Sequence, residues 1–189
     1  MTKDIIKLSA TLLGLDEIVN YLDKKTSTLT SQMQSNLQDL TTFTSYILRE
    51  ITKEYIPLSH TEEIASDSQC QISFSKLSKK ILAVKDIKDS FGNSATFNLY
   101  PDYIKVGFPN KTYTITYNYT LGPISSVEQS LTLPLGLDYF TVSYGVASEY
   151  ALSRLLYSEA DMWESKFKNS LESVRSRVGE RRFYSRRLK

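Results

Sequence analysis

The chain has 189 residues, 41% of them hydrophobic and 23% charged, with a formal net charge of +2. That composition builds one good core, or a core plus a small second module. It excludes an internal disulfide, since Cys70 is the single cysteine, and points to a reducing compartment. No apolar run approaches the roughly 20 residues a membrane span needs, and Met1-Thr-Lys-Asp-Ile-Ile-Lys-Leu lacks the uninterrupted apolar stretch of a signal peptide. Without a secretion signal, the glycosylation-like triplets Asn110-Lys-Thr and Asn118-Tyr-Thr are read as chance.

In chain order, Ile5, Ile6, Leu8, Leu12 and Leu13 predict a short helix that stops at Gly14. Asp16 is placed to cap a second short helix carrying Ile18, Val19, Tyr21 and Leu22. After the polar loop Lys24–Ser31, a longer helix carries Met33, Leu37, Leu40, Ile47, Leu48, Ile51 and Tyr55 on one side. It should end near Ile56, because Pro57 disfavours helical backbone in the residue before it. Residues 58–68 are polar and without a period, so they are expected to be a connector.

From Gln69 the period changes to two. Five short strands are predicted, around Cys70–Phe74, Ile81–Ile87, Ala95–Tyr100, Tyr103–Phe108 and Tyr113–Thr120, separated by the turn signals Ser90-Phe-Gly-Asn93, Pro101-Asp102 and Pro109-Asn110-Lys111. Such spacing implies a compact antiparallel sheet or sandwich. The last strand sets Tyr113, Ile115, Tyr117 and Tyr119 on one face. That row reads either as a stacking platform for sugars or nucleobases or as a face buried against a helix or a neighbouring subunit. On the second reading Tyr113, Tyr117 and Tyr119 form a candidate intersubunit face.

The chain returns to helix after Thr132-Leu-Pro-Leu-Gly-Leu-Asp138. Ala160, Trp163, Phe167, Leu171, Val174 and Val178 follow at intervals of 3, 4, 4, 3 and 4, which places them on one stripe. Paired helices over 138–157 and 159–178 are predicted, joined by a short hinge at Tyr157-Ser-Glu-Ala160. Beyond Gly179 the composition changes. From Val174 onward there are seven basic residues and one acid, a net of +6, which leaves −4 for residues 1–173. A mildly acidic body thus ends in a basic, aromatic-containing arm whose like charges oppose independent folding. Arg181, Arg182, Phe183, Tyr184, Arg186 and Arg187 are the candidate partner-binding residues. The bland alternative is a solubilising tail that binds nothing.

The expected fold class is therefore α+β. N- and C-terminal helices (1–57 and 137–178) form a bundle that carries an inserted small antiparallel β module (69–132) and ends in the basic extended arm (179–189). Enzyme chemistry has little to stand on. His60 is the single histidine, so neither a multi-histidine nor a cysteine-rich metal site can be assembled, and no cofactor is expected. A Cys70–His60 nucleophilic pair is weighed against a small buried cysteine and an exposed histidine, and the latter is preferred. Glycine-rich phosphate loops and nucleophile elbows are missing from the sequence.

One family is similar. Leu133-Pro-Leu-Gly-Leu-Asp-Tyr-Phe140 runs into Tyr144-Gly-Val-Ala-Ser-Glu-Tyr-Ala-Leu-Ser153, and a second helix follows with Ala160, Trp163, Phe167 and Leu171. Together with a β module containing Ile81–Ile87, Tyr103-Ile-Lys-Val106 and a strand ending in Thr116-Tyr-Asn-Tyr119, this order resembles the head–tail adaptor (connector) proteins of tailed bacteriophages. The resemblance covers most of the chain, but the first 30 residues have no counterpart. It implies a virion structural protein of the neck, assembled in the host cytoplasm. It also implies a homo-oligomeric ring, most often of twelve copies, with a channel for DNA passing without sequence specificity. The C-terminal segment would dock on the portal or a neighbouring subunit, and a downstream tail protein would follow. The alternative from the residues is a nucleic-acid-binding protein that uses the basic tail on phosphates and bases. A third is a carbohydrate-binding tail component that uses the tyrosine strand.

Overall fold

The computed structural model describes residues 1–178, with side chains through Val174. Five α-helices and two three-stranded antiparallel sheets account for most of these residues, an α+β arrangement. The chain divides into two units, Met1–Ile47 together with the chain from Ile124 onward, and Leu48–Pro123. The arm expected over 179–189 lies outside the described residues.

In the first unit, α1 (Thr2–Leu12) gives way at Gly14, whose φ of +67° suits the left-handed conformation that ends a helix. Leu15 N–H reaches back to the Ala10 carbonyl at 2.9 Å. Asp16 was expected to cap the next helix but is instead the first residue of α2 (Asp16–Leu22), with Leu15 at the cap and no side-chain capping bond. Its carboxylate still lies in the first turn with that of Glu17, where negative charge suits the helix dipole. Thr30 accepts a hydrogen bond from Met33 N–H at 3.2 Å, which starts α3 (Ser31–Glu50).

Helix α4 (Tyr139–Ser153) is capped by Asp138, which accepts from Thr141 N–H at 2.7 Å. Its buried residues Val142, Val146, Ala147 and Ala151 are interleaved with two small ones. Ser143 donates to the carbonyl of Ile5 at 3.2 Å, and so joins α4 to α1. Gly145 allows the closest approach: a methyl group there would stand 2.9 Å from Ile47 Cγ2 and 3.1 Å from the Phe167 ring. Helix α5 (Tyr157–Val178) buries Ala160, Trp163, Phe167, Leu171 and Val174, the stripe its spacing predicts. The hinge lies one turn earlier than expected, at Arg154–Leu156. Leu155 adopts φ +61° there, and Leu156 N–H closes on the Ala151 carbonyl at 2.9 Å. A leucine in a place that usually takes glycine or asparagine conceals the break from sequence reading.

The second unit opens on the end of α3, which widens into a π-helical turn over Ile51–Tyr55, where Ile56 N–H bonds the Ile51 carbonyl at 2.8 Å, and stops at Ile56, just before Pro57. The strands are β1 (Leu58–Ala65), β2 (Gln71–Ser73), β3 (Ile81–Lys88), β4 (Phe97–Leu99), β5 (Tyr103–Val106) and β6 (Thr112–Tyr119). They form the sheets β1-β6-β3 and β2-β5-β4, every pairing antiparallel. Ile72, Ile87, Ile104, Val106, Tyr113, Ile115 and Tyr117 bring both sheets into one core.

Strand β1 corrects the expected connector. Its residues do alternate, with Leu58, His60, Glu62 and Ile64 half-buried and the odd-numbered ones exposed. Two of the four inward positions are polar, so hydropathy hides the period. Strand β3 carries two register shifts against β6, at Ile81/Ala83 and Val84/Asp86. Bulges of this kind, together with the exposed Lys85 and Lys88, blunt an edge strand.

Candidate functional site

The tyrosine row is core, not surface. Tyr113 and Tyr117 are buried inside the β unit, and Tyr119 is half-buried. This corrects both the intersubunit face and the stacking platform at Tyr113 and Tyr117, whose rings already fill their own sheet. Their hydroxyls organise loops. Tyr113 OH accepts from Phe108 N–H at 3.1 Å and donates to the Phe108 carbonyl at 3.3 Å. Tyr117 OH donates to Glu62 Oε1 at 2.5 Å and accepts from Lys79 N–H at 3.3 Å.

Around Glu62 lies a polar cluster that no sequence motif marks. Ser78 N–H donates to the Glu62 carboxylate at 3.0 Å, and the Ser78 hydroxyl meets His60 Nε2 at 3.1 Å. Partial burial pushes the Glu62 carboxyl upward, but the bonds from Tyr117 and Ser78 outweigh it and hold the group below its ordinary value. The carboxylate is committed to Tyr117 and to the turn before β3, so the cluster locks that turn onto β1. Cys70 packs against the β core at φ +63° while the His60 hydrogen bond goes to Ser78, so the two residues weighed as a nucleophilic pair have separate structural tasks. Among the described residues no three His, Cys, Asp or Glu side chains gather to hold a metal ion. No helix among them is long and apolar enough to cross a membrane.

Among the exposed large apolar side chains, two groups cluster, one in each unit. In the β unit, the turn after β3 presents Phe91 and the β5–β6 hairpin presents Phe108, 88% and 69% exposed. Both turns are fixed. Asp89 accepts from Phe91 N–H and Asn93 N–H, each at 2.9 Å, and these backbone bonds, that from Asn93 foremost, hold its carboxyl below the usual range. Ser66 Oγ donates to the Phe108 carbonyl at 2.9 Å. Between the turns is a cleft of about 260 Å³ lined by Asp89, Phe91, Phe108, Lys111 and Tyr113. The exposed ammonium of Lys111 has no acidic partner among the described residues.

In the helical unit, the α4–α5 corner exposes Leu152, Leu155, Leu156 and Tyr157 in near succession, with Leu155 at 69% and Tyr157 at 65%. Arg154 ties this corner to α3, with Nη2 at 3.0 Å from Asp39 and 2.9 Å from Asn36 Oδ1, and its guanidinium lies over the Tyr150 ring at 5.1 Å. Glu159 and Asp161, exposed beside the corner, have no basic partner among the described residues. Phenylalanine in a turn at 91 and 108, and clustered leucines at a helix break, were the sequence signals available for both features. The candidate residues Arg181, Arg182, Phe183, Tyr184, Arg186 and Arg187 lie outside the described residues.

No protein-family model matches the chain, and no curated protein matches it.

Proposed function

We propose that this protein is a structural adaptor of a bacteriophage virion, a homo-oligomeric ring that joins the portal to the tail and lets DNA through its channel. One observation carries the reading. A β unit, Leu48–Pro123, is inserted into a helical unit whose halves are Met1–Ile47 and the chain from Ile124 onward. That is the chain order of the adaptors it resembles, and the lead-in Leu133-Pro134 to Asp138 stands directly before α4. In this reading α1, α3, α4 and α5 close one bundle, and the β unit reaches toward neighbouring copies. Rigid, exposed phenylalanines and leucines fit a protein whose work is contact.

The basic segment is the docking element in this account. Phe183 and Tyr184 fill apolar pockets of the portal, and Arg181, Arg182, Arg186 and Arg187 pair with its carboxylates. The test is co-purification of the full chain and of a variant lacking 179–189 with the portal protein. Full-length protein is retained on the portal and the truncated one is lost. Equal retention of both would remove the arm from the account. Capture of the full chain by DNA rather than by portal, collapsing steeply as salt rises, would favour the nucleic-acid reading instead.

A further inference from the structure

The two exposed apolar features differ in shape and in charge. The cleft between Phe91 and Phe108 is concave and carries the unpartnered Lys111. The α4–α5 corner is convex, led by Leu155 and Tyr157, and carries the unpartnered Glu159 and Asp161. We infer that the corner of one copy docks in the cleft of the next, with Leu155 entering between the two phenylalanine rings and Glu159 and Asp161 facing Lys111.

Four considerations support a second copy as the occupant. First, Lys111 is opposite in charge to Glu159 and Asp161, and none of the three has an ion-pair partner among the described residues of its own copy; the carboxylate of Asp89, which also lines the cleft, is taken up by the N–H groups of Phe91 and Asn93 in its own turn. Second, at about 260 Å³ the cleft falls below the range of about 300–1,000 Å³ typical of small-molecule sites, which leaves it suited to one large side chain. Third, both surfaces are fixed before contact, the turns by Asp89, Ser66 and Tyr113 and the corner by Arg154, so little ordering entropy is lost on docking. Fourth, Leu155 keeps a bulky apolar side chain at φ +61° and mostly in water. Left-handed backbone is unfavourable for leucine, and strain of this kind persists where a contact needs the side chain. Because cleft and corner are different surfaces, the contact is heterologous. It closes into a ring if the rotation between copies allows, and otherwise runs on as a chain. This inference deepens the ring reading, on which the choice of a second copy rests.

Charge reversal and mixing test it, with self-association of the full-length protein measured by sedimentation velocity over a concentration series. Lys111→Glu alone, and Glu159→Lys with Asp161→Lys, should each weaken association about tenfold or more, since like charges then face across the contact. Mixing these two variants should restore association, because each now supplies a surface complementary to the other. Leu155→Asn should weaken association while raising the thermal midpoint, which separates loss of contact from loss of fold. If the wild type associates and the reversed variants associate equally well, this contact is wrong and the ring reading stands. A wild type that stays monomeric throughout the series, both alone and with portal protein added, would overturn both.

Discussion

Tyr117, at the centre of the β unit, donates its buried hydroxyl across the sheet to Glu62 at 2.5 Å. The bond explains why a charged residue can occupy an inward position of β1, and it secures the turn leading into β3. Hydrogen bonds lower the Glu62 carboxyl below its ordinary value despite the opposing effect of burial. A depressed carboxylate contributes stability above its unfolded value, and that contribution is lost as pH falls through the folded value. Tyr117→Phe should therefore cost about 2 kcal/mol at neutral pH and flatten the acid limb of stability. Urea unfolding at pH 7 and in the acid range reads both effects; a parallel loss at every pH would disconnect Glu62 from the tyrosine.

Glu149 on α4 shows the opposite sign. Partial burial, and secondarily the carboxylate of Glu164 on α5, raise its carboxyl above the usual value. The folded protein thus holds a proton that the unfolded chain has released, and stability falls as pH rises from the ordinary carboxylate value through the raised one. Glu149→Gln should stabilise the protein at pH 7 by on the order of 0.5 kcal/mol, the interaction being screened by solvent. The gain should vanish below the ordinary carboxylate range. A gain independent of pH would mean that packing, not charge, is responsible.

Gly145 stands where α4 faces Ile47 of α3 and Phe167 of α5. Alanine there gains about 1 kcal/mol in helix propensity but meets the β-branch methyl of Ile47 at 2.9 Å, and overpacking costs about 1–3 kcal/mol. A net loss near 1 kcal/mol is expected from denaturant midpoints. Unchanged or increased stability would show that α3 and α5 move apart easily.

At Leu155 the expectation is a gain. Asparagine accepts left-handed backbone more readily than leucine, and the side chain removed makes little packing contact at 69% exposure. Leu155→Asn should raise the unfolding free energy by about 1 kcal/mol. A loss would mean that Leu155 contributes packing within its own helical unit.

Much of this fold could be read from spacing alone. The Ala160-to-Val174 stripe lies buried as its intervals require, and Pro57 marks the end of helix. What escaped did so for definite physical reasons. Strand β1 alternates, but His60 and Glu62 fill inward positions by hydrogen bonding rather than by hydrophobicity. The α4 break carries no glycine, because Leu155 takes the left-handed conformation itself. Tyrosine period along β6 was visible, yet period cannot say whether a face meets solvent, another copy or the second sheet of the same unit. The cleft at Phe91 and Phe108 depends on two turns distant in sequence, an adjacency no local pattern encodes.

The central claim is a ring, and mass photometry of the purified full-length protein, alone and mixed with portal protein, tests it most directly. The account predicts a discrete species of about 260 kDa, near twelve copies of a 21.6 kDa chain, or that mass added to the portal. A 21.6 kDa monomer under both conditions would contradict it.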